Sequence, residues 1–482
     1  MPNSPVFRLG RPKDDAALTN GIRWDERIAT ASATATSTAS ATGAATAVDE
    51  AGQLAAWQSQ VDPDSIGTFD KRLRWSGLNR ADAVALLSVR PDESVTPDWW
   101  PALEAIRAAC RSSAEGPAAD EDWIANIDSV LPSAPVDDAG QVPFAHLLWP
   151  ITHWAWTKLE ARIDPACLIR VNSTARNDLR RALLVRLSDL SARAVTEDFT
   201  VDRTAGLAMM LRLGVLDASL SESRVAYVAY CRRNLADGLD HLLGEFPVLG
   251  RIIAVMCDQW GTNVIELLER LDSDRPQLRA HFGVDEQRAL DHVTWGLSDP
   301  HRGGRSVAIL TFGSDEASVA IVYKPKNIEI EQRYNHIVAE ILGELGGSGE
   351  PSVRTLLGDG DYGYVSFVHH EPCAAERLPE FYRAAGRLLG ILHLLGTTDC
   401  HYENLISRGP ALHLIDAETL FEGSTVTIGS GEAVTSEDPL QASVLRIGML
   451  PKWAIRTGLK PSDISALGVT SQSPAPTPFP GW

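Results

Sequence analysis

Leu394-Leu395-Gly396-Thr397-Thr398-Asp399-Cys400-His401-Tyr402-Glu403-Asn404-Leu405-Ile406 spaces an acid, an imidazole and an amide as DxHxxN. Shortly after it, the apolar run Leu412-His413-Leu414-Ile415 leads into Asp416-Ala417-Glu418-Thr419-Leu420-Phe421, two more carboxylates just past a predicted strand. Phosphoryl transfer needs an acceptor hydroxyl in line with the phosphorus and divalent cations against its oxygens. Asp399 or His401 can orient that hydroxyl and take its proton. Asn404 and Asp416 offer hard oxygen ligands to Mg²⁺, and Glu418 is either a second metal ligand or an orienting group. Each residue alone is ordinary at a capped helix end; the set with its strand context is the wiring of a phosphotransferase.

Working outward, Glu376 to Leu395 reads as a long helix with Leu378, Phe381, Ala385, Leu388, Leu389 and Leu392 on one face, delivering the chain to DxHxxN. Ser352 to Leu357 and Tyr362 to Val368 read as strands around Gly358-Asp359-Gly360-Asp361, with His369 to Cys373 as a hinge. A helix from about Ile328 to Leu345 precedes them. Before that, Ser306 to Phe312 and Ala317 to Lys324 are β-branched-rich runs about Gly313-Ser314-Asp315-Glu316, a hairpin signature. Its second strand ends in Tyr323-Lys324-Pro325-Lys326, where Lys324, with Lys326 as runner-up, is the candidate to hold nucleotide phosphates while a helical carboxylate holds the lysine. Ahead of the hairpin, Ser298-Asp299-Pro300-His301-Arg302-Gly303-Gly304-Arg305 has two glycines that permit close approach of an anion and arginines to grip it. Gly303, Gly304 and Arg305 are thus candidate phosphate contacts. Loop, hairpin with lysine, helix, strands, hinge, helix, catalytic loop, metal strand is the order of a bilobal kinase fold.

The class is therefore α+β: a helical N-terminal region followed by a lipid- or protein-kinase-like fold with an incomplete C-lobe. The expected organisation is a weakly ordered segment over 1–52, a mainly helical domain over 53–290, an N-lobe over 291–373, a partial C-lobe over 374–468 and a Pro-rich tail over 469–482. Ala29 to Val48 is almost wholly Ala, Thr, Ser and Gly, too poor in apolar surface to offset its ordering entropy. Arg176 to Thr196 and Val225 to Leu243 carry Leu, Val and Ala at helical steps; in the second, Val228, Cys231, Leu235, Leu239 and Leu242 share a face. Trp99, Trp100, Trp149, Trp154 and Trp156 fit core packing better than a stacking groove.

With 482 residues, 44% of them hydrophobic and 22% charged, the chain has ample material for two to four domains. A formal net charge of −19 argues against nucleic acid or anionic lipid as partner. The six cysteines show neither CxxC nor metal-ligand spacing, so neither zinc nor a disulfide framework is expected. No signal-peptide or membrane-span stretch is evident, which makes the cytoplasm the expected location and a membrane span unexpected.

Glu245-Phe246-Pro247-Val248-Leu249-Gly250-Arg251, Asp299-Pro300-His301, Val322-Tyr323-Lys324-Pro325-Lys326, DxHxxN, Ile415-Asp416-Ala417-Glu418-Thr419-Leu420-Phe421 and Asp463-Ile464-Ser465-Ala466-Leu467-Gly468 together resemble the dehydratase domain of class II lanthipeptide (lantibiotic) synthetases, whose core is lipid-kinase-like. The resemblance is dense in the second half of the chain and thinner in the first. It implies ATP- and Mg²⁺-dependent phosphorylation of Ser and Thr in a ribosomal precursor peptide with a leader, then phosphate elimination to dehydroamino acids. It implies that Lys324 grips phosphates, that Asp399 and His401 serve hydroxyl activation, and that Asn404, Asp416 and Glu418 serve magnesium. Asp299 and His301 match a further active-site pair of that family.

Members of that family continue well beyond the equivalent of Trp482, completing the C-lobe and adding a zinc-dependent cyclase. The chain is therefore expected to be a fragment or half of a split enzyme working with a separate cyclase or missing C-terminal half, with elimination less secure than phosphorylation. Two other readings stand beside this one: a non-catalytic module that binds nucleotide or leader peptide, and a kinase acting on a lipid or small molecule.

Overall fold

A computed structural model describes residues 67–75, 78–88, 96–115, 142–213, 223–313, 317–346, 352–421 and 443–451, with short pieces between 54 and 131 and between 453 and 467. The Ala/Thr/Ser-rich stretch, the turn residues 314–316 and the Pro-rich tail lie outside them. The fold is α+β. Ten helices are described before the first strand: α1 Thr68–Trp75, α2 Arg80–Ser88, α3 Trp100–Ala114, α4 Ala145–Glu160, α5 Pro165–Ile169, α6 Ser173–Leu213, α7 Ser223–Ala236, α8 Asp240–Glu245, α9 Pro247–Ser273 and α10 Arg275–Phe282. There follow β1 Leu290–Trp295, β2 Ala308–Phe312, β3 Val319–Lys324, α11 Glu329–Glu344, β4 Thr355–Leu357, β5 Gly363–Ser366, α12 Leu378–Leu394, β6 Leu405–Arg408 and β7 Ala411–Leu414. Among the described residues no helix is long and apolar enough to cross a membrane.

The chain divides into two compact units, one of residues up to Ile163 with Arg180–Ile265, the other of Asp164–Leu179 with residues from Glu266 onward. The first is helical, with α3 packed on α4 and α7. Leu103, Ile106, Cys110, Leu148, Trp156, Val228, Cys231 and Leu235 are buried there, and so are Trp99 and Trp149. Trp99, Trp149 and Trp156 are packing side chains, as expected, while Trp100 and Trp154 are half-buried.

One expected helix is two. The apolar face from Val228 to Leu242 is buried as expected, but the helix stops at Ala236 and restarts at Asp240. Gly238 (φ 72°) and Leu239 (φ 67°) take left-handed backbone between them. Glycine suits position 238 because its φ lies in the left-handed region, where an added Cβ is strained.

In the second unit the five strands lie in the order β1-β2-β3-β5-β4, every neighbouring pair antiparallel. Alternation puts Leu310, Phe312, Ile321, Tyr323 and Tyr364 in the core. Their polar tips are met from α9 and the turn after it: Arg270 donates to the Tyr323 hydroxyl at 2.6 Å, and Tyr362 and Tyr364 donate to the Asp274 carboxylate at 2.8 and 3.0 Å. Strand β1 was not expected from the sequence, which puts the start of the sheet at Ser306. Below the sheet, Tyr334 of α11 joins Ala385, Leu388, Ile391 and Leu392 of α12, with Cys400, Leu405, Leu414, Ile447 and Met449, in one apolar cluster. That cluster takes in Cys400 of the DxHxxN loop and Leu405 and Leu414 of the β6–β7 hairpin.

All six thiols are unbridged. Burial pushes the thiols of Cys110, Cys231 and Cys400 up to about 12, which leaves almost no thiolate near neutrality. Cys373 is half-buried. With iodoacetamide at pH 8, Cys373 is expected to be alkylated first, while Cys110, Cys231 and Cys400 react only after unfolding. Peptide mass spectrometry checks the order, and early alkylation of Cys400 would contradict the packing of its loop.

Candidate active site

Val322 and Lys324 point to the face of β3 opposite Tyr323, and both line a cleft of about 810 Å³ in the second unit, a volume in the range of small-molecule sites. Opposite Lys324 in the register is Gly363. A side chain there would collide with Ile328 and, at 2.8 Å, with the Leu356 carbonyl, so this strand pair closes only over glycine. The Lys324 ammonium donates to Glu331 Oε2 at 2.7 Å and to the Ile415 carbonyl at 2.7 Å. Lys324 and Glu331 are 6% and 5% exposed. Burial raises the Glu331 carboxyl above its ordinary value, with Lys324 and then Lys326 pulling it back down. Glu331 lies in the first turn of α11, where a carboxylate is favoured by the helix dipole.

From the other side, the DxHxxN loop is built by its own hydrogen bonds. The Cys400 amide donates to the Ile447 carbonyl at 2.7 Å, and Asn404 Nδ2 donates to the Asp399 carbonyl at 2.9 Å. The Ile415 amide donates to the Asn404 carbonyl at 2.9 Å, which fastens the acidic pair after β7 to the loop. Asp399 has φ 60°, left-handed backbone that an L residue adopts at a cost. The Glu403 amide donates to His401 Nδ1 at 3.2 Å. An amide can only donate, so a neutral His401 carries its proton on Nε2, which faces Asp399 Oδ1 at 3.4 Å.

Asp399, His401, Asn404, Asp416 and Glu418 line the same cleft as Lys324, and Asp299 and His301 line it from the loop between β1 and β2. That loop is closed at its neck, where the Val307 amide donates to Ser298 Oγ at 3.1 Å and Ser306 Oγ donates to the Ser298 carbonyl at 2.9 Å. Gly303 and Gly304 are not part of the cleft lining. They take φ 71° and 74° to reverse the chain, and the His301 amide reaches the Arg305 carbonyl at 2.8 Å across that turn. Arg305 lies outside the lining too. Its guanidinium grips the Glu266 carboxylate with two hydrogen bonds of 3.0 Å, which raise its pKa. Of the candidate phosphate contacts, Gly303 and Gly304 thus lie in the chain reversal and Arg305 pairs with Glu266.

Residues 246–482 match the profile of a family described as a domain of unknown function, DUF4135. The chain is also similar to a protein of lacticin 481 and lactococcin biosynthesis. The lacticin 481/lactococcin biosynthesis protein LcnDR2 of Lactococcus lactis subsp. lactis is 22% identical over 217 residues, 43% of this chain. The matched segment spans 23% of that protein's length. The family match takes in every residue of the cleft named above.

Within that region, sequence reasoning left the helical carboxylate unnumbered; the structure puts Glu331 there, seven residues beyond Lys324. It also took Lys326 only as a substitute for Lys324. The Lys326 ammonium instead contacts Asp416 Oδ1 at 3.2 Å and pairs with Glu418. Among the described residues, no three His, Cys, Asp or Glu side chains gather as a protein-only metal cage. Two carboxylates and the amide of Asn404 are nonetheless a donor set suited to Mg²⁺, which takes one or two carboxylates when phosphates supply further oxygens.

Proposed function

We propose that the second unit is an ATP- and Mg²⁺-dependent phosphotransferase acting on Ser and Thr hydroxyls of a ribosomal precursor peptide, as the dehydratase of a lanthipeptide synthetase. The observation that carries this reading is the convergence on one cleft of the buried Lys324–Glu331 pair, from β3 and α11, with Asp416 and the DxHxxN loop. A strand lysine held by a helical carboxylate, facing an acid that follows a catalytic loop, is the layout of a kinase cleft. The peptide acceptor rests on the likeness to LcnDR2.

In this reading Lys324, oriented by Glu331 and the Ile415 carbonyl, presents its remaining N–H to the nucleotide phosphates. Asp399 accepts the proton of the attacking hydroxyl, because His401 Nδ1 is engaged by the Glu403 amide and its Nε2 is a donor. His401 then orients the Asp399 carboxylate. The hydroxyl oxygen bonds to the γ-phosphorus as the bond to ADP breaks. Asn404, Asp416 and Glu418 would hold Mg²⁺, which when bound neutralises charge on the phosphate oxygens. Elimination would then pass the α-proton of the phosphorylated residue to a base, form the Cα–Cβ double bond and break the Cβ–O bond, with phosphate a far better leaving group than hydroxide.

The test is incubation of the purified chain with ATP, Mg²⁺ and a leader-bearing Ser/Thr peptide from a neighbouring gene, followed by mass measurement of the peptide. A gain of phosphate mass establishes transfer, and loss of water at a Ser or Thr establishes elimination as well. An unmodified peptide with ATP left intact overturns the reading. An intracellular site of action follows from an ATP requirement.

A further inference from the structure

The inference drawn here rests on the phosphotransferase reading and gives a role to a residue that reading does not use. We propose that Lys326 is the chain's own resident cation at the acidic end of the cleft: its ammonium bridges Asp416 and Glu418 until a divalent cation takes those carboxylates, and it thereby sets how tightly that cation is held.

Asp416 and Glu418 follow one strand within four residues and line one cleft, so their charges repel unless a cation sits between them. Lys326 supplies it, with Nζ at 3.2 Å from Asp416 and paired with Glu418. Lysine suits this task better than arginine, being a compact point charge on a flexible stem. The lysine is 21% exposed, less than Asp416 at 36% or Glu418 at 45%, so solvent screens the contact only in part. A divalent cation needs the same carboxylate oxygens, and the two cannot hold them together at close range.

A second berth for the ammonium lies beside the first. Glu331 Oε1 is buried and accepts no hydrogen bond, while Oε2 of the same carboxylate is taken by Lys324. Oε1 lies 3.7 Å from Lys326 Nζ, too long for a hydrogen bond and short enough to be reached by a rotation of the lysine stem. A displaced ammonium therefore has a waiting acceptor, and its exchange with a metal leaves no charge stranded.

The experiment is titration of the nucleotide-free chain with Mn²⁺ alone, free ion being counted by electron paramagnetic resonance. Lys326→Met is expected to bind Mn²⁺ about tenfold or more tightly than the unaltered chain, because an adjacent positive charge and a competitor are both removed. Asp416→Asn added to Lys326→Met is expected to cancel the gain. Circular dichroism establishes that each protein is folded, and Lys326→Gln supplies the same comparison should the methionine variant not fold. Unchanged or weaker binding in the folded variant overturns the proposal, and so does a gain that survives Asp416→Asn. Because nucleotide and acceptor are absent, the outcomes separate: tightening without peptide phosphorylation removes the kinase reading alone, and phosphorylation without tightening removes only the role of Lys326.

Discussion

On the phosphotransferase reading, Asp416→Asn is expected to lower phosphorylation of the peptide acceptor by about a thousandfold or more. The reason is charge. The substitution keeps the size of the side chain and one oxygen, but it removes the formal negative charge that draws a divalent cation to this end of the cleft. A metal ion contributes several kcal/mol of charge stabilisation in phosphoryl transfer, and each ~1.4 kcal/mol is a factor of about ten in rate. The fold should be spared, since Asp416 is half-exposed and Lys326 keeps Glu418 and Glu331 as partners. Transfer of label from γ-labelled ATP measures the rate, and a thermal melt within a few degrees of the unaltered chain isolates the effect to chemistry. If the lost role is metal binding, raising Mg²⁺ restores part of the activity. Undiminished turnover at ordinary Mg²⁺ would remove Asp416 from the site.

Sequence reading reached what is local in this fold. The β-branched-rich runs that hold Ala308–Phe312 and Val319–Lys324, set about a short turn, are a hairpin signal because every cue lies within a few residues of chain. The helical period in α12 likewise marks Ala385, Leu388 and Leu392 as core. Strand β1 escaped because its two buried residues, Leu290 and Val293, lie three apart across a bulge between Leu290 and His292, so it lacks a period of two. The break at Gly238 was legible as a glycine near a helix end, but the apolar face runs on through it, and that continuity outweighed the stop signal.

In the site, the residue types were legible and the partnerships were not. DxHxxN and the acids after β7 announce chemistry by spacing alone. That Arg305 belongs to Glu266, 39 residues upstream, has no local signature. Neither does the pairing of Lys326 with Asp416, 90 residues on. Two glycines flanked by arginines read equally well as an anion loop or as a reversal, and nothing in the local pattern announces the Arg305–Glu266 pair.

The sharpest distinction the cleft offers is between its two lysines. Lys324→Met is expected to abolish phosphorylation and also to destabilise the second unit by about 3–5 kcal/mol, because it strands Glu331 as a buried charge without its main partner. The deficit depends on pH in a defined sense. Burial already raises the Glu331 carboxyl, and loss of Lys324 raises it further. A carboxyl whose folded pKa is raised favours the fold when protonated, so the penalty is smallest in acid and grows as pH rises through that pKa. Urea unfolding at pH 5 and pH 8 should therefore show the larger loss at pH 8. Adding Glu331→Gln to Lys324→Met removes the stranded charge and is expected to restore most of the stability at pH 8 with none of the activity. That double variant separates a lysine that acts on nucleotide from one that only satisfies a buried carboxylate. If it recovers turnover together with stability, Lys324 is a structural ion pair, and the ammonium that meets the phosphates is that of Lys326.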